Sequence, residues 1–219
     1  MKKYFYKFTP AILSAAGFVF SLIIFLMDKY SPYKGDFSIW MAIILILTLS
    51  GVLLGKLIKQ LYQNSYKDPL TGLQNRRYFY DMLVYEMNKL SRDNSTVSLA
   101  IIDVDNFKSI NDTFGHTKGD KVLKELSHIF VDSVRTYDTV ARWGGEEFAI
   151  IFPQTDSNGA LVLAERIRNI VEEHTFCSNV TICIGITSTE NKMDIEKFVS
   201  LADKALYEAK EKKNSVVCL

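Results

Sequence analysis

The sequence predicts an α/β domain of ordinary size behind two membrane-spanning helices. Three observations carry that prediction. Two long uncharged apolar stretches lie near the N-terminus; helical and strand periods alternate after them; and an apolar run stops at Asp103-Val104-Asp105, upstream of a Gly144-Gly145-Glu146-Glu147 turn. The 219 residues suit one domain of about 150 residues plus a smaller unit.

The smaller unit comes first. Thr9 to Met27 and Phe37 to Gly55 contain no charged residue, and each is long enough to cross a hydrocarbon core of about 30 Å. Lys2, Lys3 and Lys7 resemble a charged leader, yet the first stretch is long for one, lacks a small-residue cleavage site and is followed at once by a second span. Lysines crowd the outer ends of the pair (Lys2, Lys3, Lys7, Lys56, Lys59, Lys67), while the segment from Asp28 to Asp36 balances Lys29 and Lys34 against two aspartates. The positive-inside rule therefore places both termini and the large domain in the cytoplasm. Three unpatterned cysteines, Cys177, Cys183 and Cys218, agree with a reducing compartment. The expected organisation is a transmembrane hairpin over 1–58 (spans about 9–27 and 37–55), a helical linker over 59–67 and a domain over 68–219. Tyr30, Tyr33 and Trp40 suit an interfacial aromatic belt. The linker, with Leu57, Ile58 and Leu61 on one side, reads equally as a stalk pairing with its copy or as a spacer.

In the domain, Tyr78, Phe79, Met82, Leu83 and Leu90 predict an amphipathic helix after Asn75, ending in the turn-rich Ser91 to Thr96. Val97 to Ile102 reads as a buried strand. A short helix follows over Phe107 to Phe114, then a longer one with Val122, Leu123, Leu126, Ile129 and Phe130 at helical spacing. Thr139 to Ala141 and Phe148 to Phe152 form a β-hairpin with its carboxylates at the tip. Gly159 to Val171 is helical, Val180 to Ile186 a strand, Asp194 caps a helix through Ala209, and Val216-Val217 adds a short edge strand.

The chemistry sits at two acidic points. The Gly-Gly turn lets a ligand approach the backbone, and the adjacent glutamates supply the hard oxygens that Mg²⁺ prefers. A strand end delivering Asp103 nearby would complete a metal site for phosphate chemistry. Alone, Asp-x-Asp more often marks a solvated strand end or a helix cap. A net charge of +1, with no basic cluster interleaved with aromatics, argues against nucleic acid as a partner.

Four spaced motifs together resemble the GGDEF family of diguanylate cyclases: Asp68-Pro69-Leu70-Thr71-Gly72-Leu73-Gln74-Asn75-Arg76-Arg77, the block Asp103 to His116, the signature Gly144-Gly145-Glu146-Glu147-Phe148, and Ala202-Asp203-Lys204-Ala205-Leu206-Tyr207-Glu208-Ala209-Lys210. The resemblance covers essentially everything after Tyr66, with glutamate at the signature's third position. It implies a mixed central sheet wrapped by helices, similar to the polymerase palm and to class III nucleotide cyclases. It also implies a bacterial inner-membrane enzyme that condenses two GTP into cyclic di-GMP and two pyrophosphates across a homodimer. By the same resemblance, Asp103, Glu146 and the Val104 carbonyl hold Mg²⁺, with Mn²⁺ as a substitute. Glu147 beside them either joins the metal site or takes the 3′-hydroxyl proton. Lys108 and Lys210 contact phosphate, and main-chain N–H groups of Asn106, Phe107 and Lys108 cradle the β- and γ-phosphates.

Asn111 and Asp120 stand where the family reads guanine. A carboxylate accepts from guanine N1–H and N2–H₂ together, whereas adenine would leave it unpaired. Arg135-Thr136-Tyr137-Asp138 lies in the register of an inhibitory product site, where Arg135 and Asp138 would hold cyclic di-GMP; out of register it would be a surface ion pair. Two departures stand out. The glycine usual after the last motif is absent, leaving Lys213 in place of an arginine, and Cys183 stands where serine is commoner, read here as a packing change. The rival reading is a catalytically silent GGDEF domain that binds GTP or cyclic di-GMP and signals through a partner; retention of Asp103, Glu146, Glu147, Asn111, Asp120 and Lys108 favours the enzyme.

Overall fold

Two long helices open the chain, α1 (Lys2–Lys29) and α2 (Phe37–Asn64). Within them Phe8–Lys29 and Ser38–Leu61, 22 and 24 residues, are long and apolar enough to cross a membrane. Gly17 lies against the Leu47 carbonyl, Gly51 against Leu13 and Gly55 against Pro10, so the helices run antiparallel with their backbones close. Small residues permit such a close approach. At one end the Trp40 indole N–H donates to Asp28 Oδ2 at 2.8 Å, and Phe25 meets the Trp40 ring edge-on. Helix α2 runs unbroken past Lys56 and Lys59, so the apolar span and the start of the expected linker are one helix.

The structure is a computed structural model that describes residues 2–30, 37–64, 66–93, 95–174 and 180–219. Tyr33, Lys34, Asp36 and Cys177, and the side chains of Lys2, Lys3 and Lys7, lie outside the described residues. The chain divides into two compact units, Met1–Ser65 and Tyr66–Leu219.

The second unit is a three-layer α/β domain. In chain order it comprises β1 (Gln74–Asn75), α3 (Arg76–Asp93), β2 (Val97–Val104), α4 (Phe107–Phe114), α5 (His116–Asp132), β3 (Thr139–Arg142), β4 (Glu147–Pro153), α6 (Ser157–Glu173), β5 (Ile182–Thr189), α7 (Ile195–Lys212) and β6 (Val216–Cys218). Its six-stranded sheet has the order β1-β3-β4-β2-β5-β6. The edge pairs β1–β3 and β5–β6 are parallel, and the inner pairs are antiparallel. This is the expected mixed sheet wrapped by helices.

Strand alternation sorts the core into two layers. Val97, Leu99 and Ile101 face one way with Phe79, Leu83 and Met87 of α3 and Phe198, Ala202 and Leu206 of α7. Ala100, Ile102 and Val104 face the other with Leu126 and Phe130 of α5 and Ala164 and Ile167 of α6. Strand β2 is buried along its whole length because both its neighbours and both its faces are covered, which is why it reads as an uninterrupted apolar run.

Element boundaries move for local reasons. Helix α6 starts at Ser157 because the Asp156 carboxylate accepts from Gly159 N–H, and α7 starts after Asp194, which accepts from Lys197 N–H. Helix α3 continues to Asp93, into the stretch expected to be turn, and β5 begins at Ile182 and runs to Thr189. Strand β1 was not expected; two residues carry no period, and pairing with Ala141 and Arg142 alone defines it.

Candidate active site

The signature hairpin brings its carboxylates to β2 through register. Strands β2 and β4 pair so that Asp103 stands opposite Glu147, the first residue of β4. On the other side Asp103 stands opposite Cys183 of β5. Asp103 is largely buried, and its Oδ2 accepts from Lys210 Nζ of α7 at 2.8 Å. Lys210 gets there because Gly185 on β5 lets α7 lie directly on the sheet: a Cβ at Gly185 would run into the backbone at Ala202 and Leu206.

The charges are coupled. Burial pushes the Glu146 carboxyl above its ordinary value, the charges of Asp103 and Glu147 push further, and only Lys210 opposes them. Burial works against the charged form of Lys210, yet the bond and charge of Asp103, with Glu147, raise its pKa overall. Three carboxylates with one ammonium leave local excess negative charge, and their hard oxygens fit Mg²⁺ or Mn²⁺. Among the described residues no three Asp, Glu, His or Cys side chains already form a cage, so a cation has to compete with Lys210 for Asp103.

Arg142 fixes the turn that carries the glutamates. Its guanidinium donates to the Gly144 and Gly145 carbonyls and, through Nη1, to both oxygens of Asp68 at 3.1 and 3.2 Å. Asp68 is set by the Thr71 N–H and hydroxyl, each at 2.8 Å. The first motif thus acts as a clamp on the third. Burial alone would raise the Asp68 carboxyl, but the Thr71 bonds and Arg142 hold it below its ordinary value.

Beyond β2 the backbone turns through Asn106, which is left-handed at φ 54°, into α4. Phe107 is buried beneath this turn, while Lys108 is exposed on it. Helices α4 and α5 meet where Gly119, the residue before Asp120 on α5, packs directly against the Asn111 amide and the Phe107 ring of α4. Lys213, after α7, donates to Asn106 Oδ1 at 3.0 Å. Cys183 is more than packing: its Sγ–H donates to Asp105 Oδ1 at 3.0 Å, and burial, with that bond and the Asp105 charge, pushes the thiol up to about 11. Asp105 and Arg142 are the site residues that sequence reasoning left without a role. The Asp103-to-Asp105 offset and the Arg142-Gly144 spacing were visible, but their partners are distant in the chain.

At the far end of β3, Arg135 and Asp138 do not pair through their side chains. The Arg135 N–H donates to Asp138 Oδ2 at 2.8 Å, and Nη1 donates to the Tyr137 hydroxyl at 2.9 Å. Asp138 Oδ1 is buried without a partner. Burial raises the Asp138 carboxyl, partly offset by the bond and charge of Arg135. A cleft lined by Leu73, Tyr78, Met82 and Val134 opens beside the two residues.

The sequence profile described as "Diguanylate cyclase, GGDEF domain" matches residues 65–215. The chain is 40% identical over 169 residues to Diguanylate cyclase A of Treponema denticola, covering 73% of this chain and 46% of that protein. It spans about half the length of the curated relatives it matches. Its structure is similar to that of the coiled coil and GGDEF domain of DgcB from Caulobacter crescentus in complex with c-di-GMP, with a TM-score of 0.76 and 28% identity over 82% of this chain and 98% of that one. It is also similar to the active GGEEF domain of a diguanylate cyclase from Vibrio cholerae, with a TM-score of 0.63 and 35% identity over 66% of this chain and 96% of that one.

Proposed function

Since the chain belongs to the diguanylate cyclase GGDEF family, we propose that its second unit condenses two GTP molecules into cyclic di-GMP and two pyrophosphates, with Mg²⁺, across a homodimer at the inner face of a bacterial inner membrane. The observation that carries this reading is the register that sets Asp103 opposite Glu147, with Glu146 beside them and Lys210 on Asp103. Asp103, Glu146 and the Val104 carbonyl would hold the ion, which supplies charge neutralisation at the triphosphate and acidifies the attacking hydroxyl.

The protein's own groups do the rest. Lys210 would turn from Asp103 to contact phosphate. Lys108 and the main-chain N–H groups of Asn106 to Lys108 cradle the terminal phosphates. Asp120 accepts from guanine N1–H and N2–H₂, Asn111 reads the same base, and Glu147 receives the 3′-hydroxyl proton or joins the metal site. The 3′-oxygen of each GTP bonds to the α-phosphorus of the other as the bond to departing pyrophosphate breaks. Each protomer presents one GTP, so two copies are needed. The relative described as an active GGEEF domain supports glutamate at the third signature position as compatible with activity. The unpartnered Asp138 oxygen and the adjacent Arg135 support a site that binds cyclic di-GMP and inhibits. The two apolar helices form the anchor, with both termini in the cytoplasm.

The test incubates detergent-solubilised full-length protein with GTP and Mg²⁺ beside Glu147→Ala and Arg135→Ala, with and without added cyclic di-GMP, and reads product by mass-resolved chromatography. Wild type forms cyclic di-GMP and is inhibited by it, Glu147→Ala forms none, and Arg135→Ala resists inhibition. No product from a dimeric wild type that still binds guanine nucleotide replaces this reading with that of a receptor.

A further inference from the structure

Asp105 takes no part in the reaction above, although it lies two residues beyond Asp103 and faces the same side of the sheet. Its carboxylate is buried and fully engaged: Oδ2 accepts from the Thr181 hydroxyl at 2.7 Å and from Asn214 N–H at 2.9 Å, and Oδ1 accepts from the Cys183 thiol at 3.0 Å. Its own N–H donates to the Thr181 carbonyl at 2.9 Å.

The bond to Asn214 reaches the turn after α7, where Lys213 and Asn214 have φ of 56° and 44°. Two consecutive residues of positive φ that are not glycine need outside support. Here the Lys213 N–H and the Ser215 hydroxyl both donate to the Ala209 carbonyl, and Arg168 and Glu172 of α6 grip the Asn214 amide. Asp105 is the support that comes from the site side. The turn it fixes aims Lys213 Nζ at Asn106 Oδ1, 3.0 Å away, on the left-handed residue that opens α4.

We propose that Asp105 is a positioning residue: it holds the positive-φ turn after α7 in place, so that the Lys213 ammonium stands over the opening of α4 and grips the terminal phosphates of GTP. Cys183 and Thr181 complete the hub by holding the carboxylate still. The substrate in this inference rests on the function proposed above; the linkage from Asp105 to Lys213 does not. The prediction is selective, because a group that sets Lys213 affects ligands carrying β- and γ-phosphates and leaves a monophosphate alone.

The experiment measures binding of GTP and of GMP, with Mg²⁺, to full-length protein in detergent, all in a Glu147→Ala background so that no GTP is consumed. Asp105→Asn puts an N–H₂ where donors converge; it and Lys213→Ala each lower GTP affinity about tenfold and leave GMP within about twofold. The double variant is no weaker than either single one. Cys183→Ser, which keeps a donor, retains GTP affinity, and Thr181→Val, which removes one, shows a smaller loss of the same selective kind. Equal losses for GTP and GMP, or additive losses in the double variant, overturn the proposal. Should Asp105→Asn not fold, the Thr181→Val comparison decides by the same ratio. Binding is read without turnover, so a wild type that makes no cyclic product removes the proposed activity without touching this result.

Discussion

Gly119 shows how a missing methyl can shape a pocket. It lies inside α5, where glycine costs about 1 kcal/mol relative to alanine, and the space it leaves is filled by the Asn111 amide. Gly119→Ala therefore gains helix propensity while displacing Asn111, and the expected result is a several-fold rise in KM for GTP with the melting temperature little changed, read by steady-state kinetics beside a thermal melt. The offsets of Asn111 and Asp120 from Asp103 carried the expectation of a guanine site; the packing of Gly119 on Asn111 carried no signal, because a close approach between two helices leaves no pattern in either. Asp68 shows the same limit in a different chemistry. Its motif was visible, but not the Arg142 Nη1 shared between its two oxygens across the fold. Since folding depresses the Asp68 pKa, its contribution is complete above the ordinary carboxylate value of about 3.9 and is lost as pH falls through the lower folded value. Asp68→Asn should cost about 1–3 kcal/mol at neutral pH, as expected for hydrogen bonds to a charged group. The same substitution should flatten the acid limb of a denaturation-midpoint profile, and an unchanged limb would show that the clamp contributes nothing.

Elements were legible wherever their burial is regular. Strand β2 reads as a strand because both faces are covered, and α5 and α7 read as helices because each buries one stripe. Legibility fails where pairing rather than pattern defines the element, as at β1, and where a cap moves the start, as at α6. Helix α7 carries the strongest consequence at this scale. Ala202, Ala205, Leu206 and Ala209 are its buried face, and Gly185 beneath it removes the last side chain between helix and strand. Gly185→Ala forces overpacking against backbone, which cannot rotate away as a side chain can. The expected cost is about 1–3 kcal/mol. Because Lys210 rides on the same helix, the shift should also carry its ammonium away from the proposed phosphate site and lower turnover. Chemical denaturation of residues 66–219, with activity measured well below the unfolding transition, separates the two effects; loss of stability with full activity would mean that α7 tolerates the shift without moving Lys210.

At the scale of the whole molecule, the hairpin and the domain are separate units that carry separate information. Residue patterns reveal the first by the absence of charge and the second by four motifs, but neither pattern states what the hairpin responds to. The proposed reaction nonetheless constrains the assembly, since each GTP would present its 3′-hydroxyl to the α-phosphate held by another copy. Under the proposed anchoring, confinement to one membrane would raise the effective concentration of the domains to about the millimolar range without any new contact. The unit Tyr66–Leu219 has its own two-layer core and should fold alone. Freed of the anchor it should meet its copy by ordinary collision. Its specific activity is therefore expected to rise in proportion to its own concentration in the low micromolar range, while full-length protein in vesicles at fixed surface density keeps a constant specific activity on dilution of the suspension. An isolated domain whose specific activity is independent of concentration would show that its dimer contacts suffice alone. In that case the helices would serve as an anchor, with no part in bringing the two substrates together.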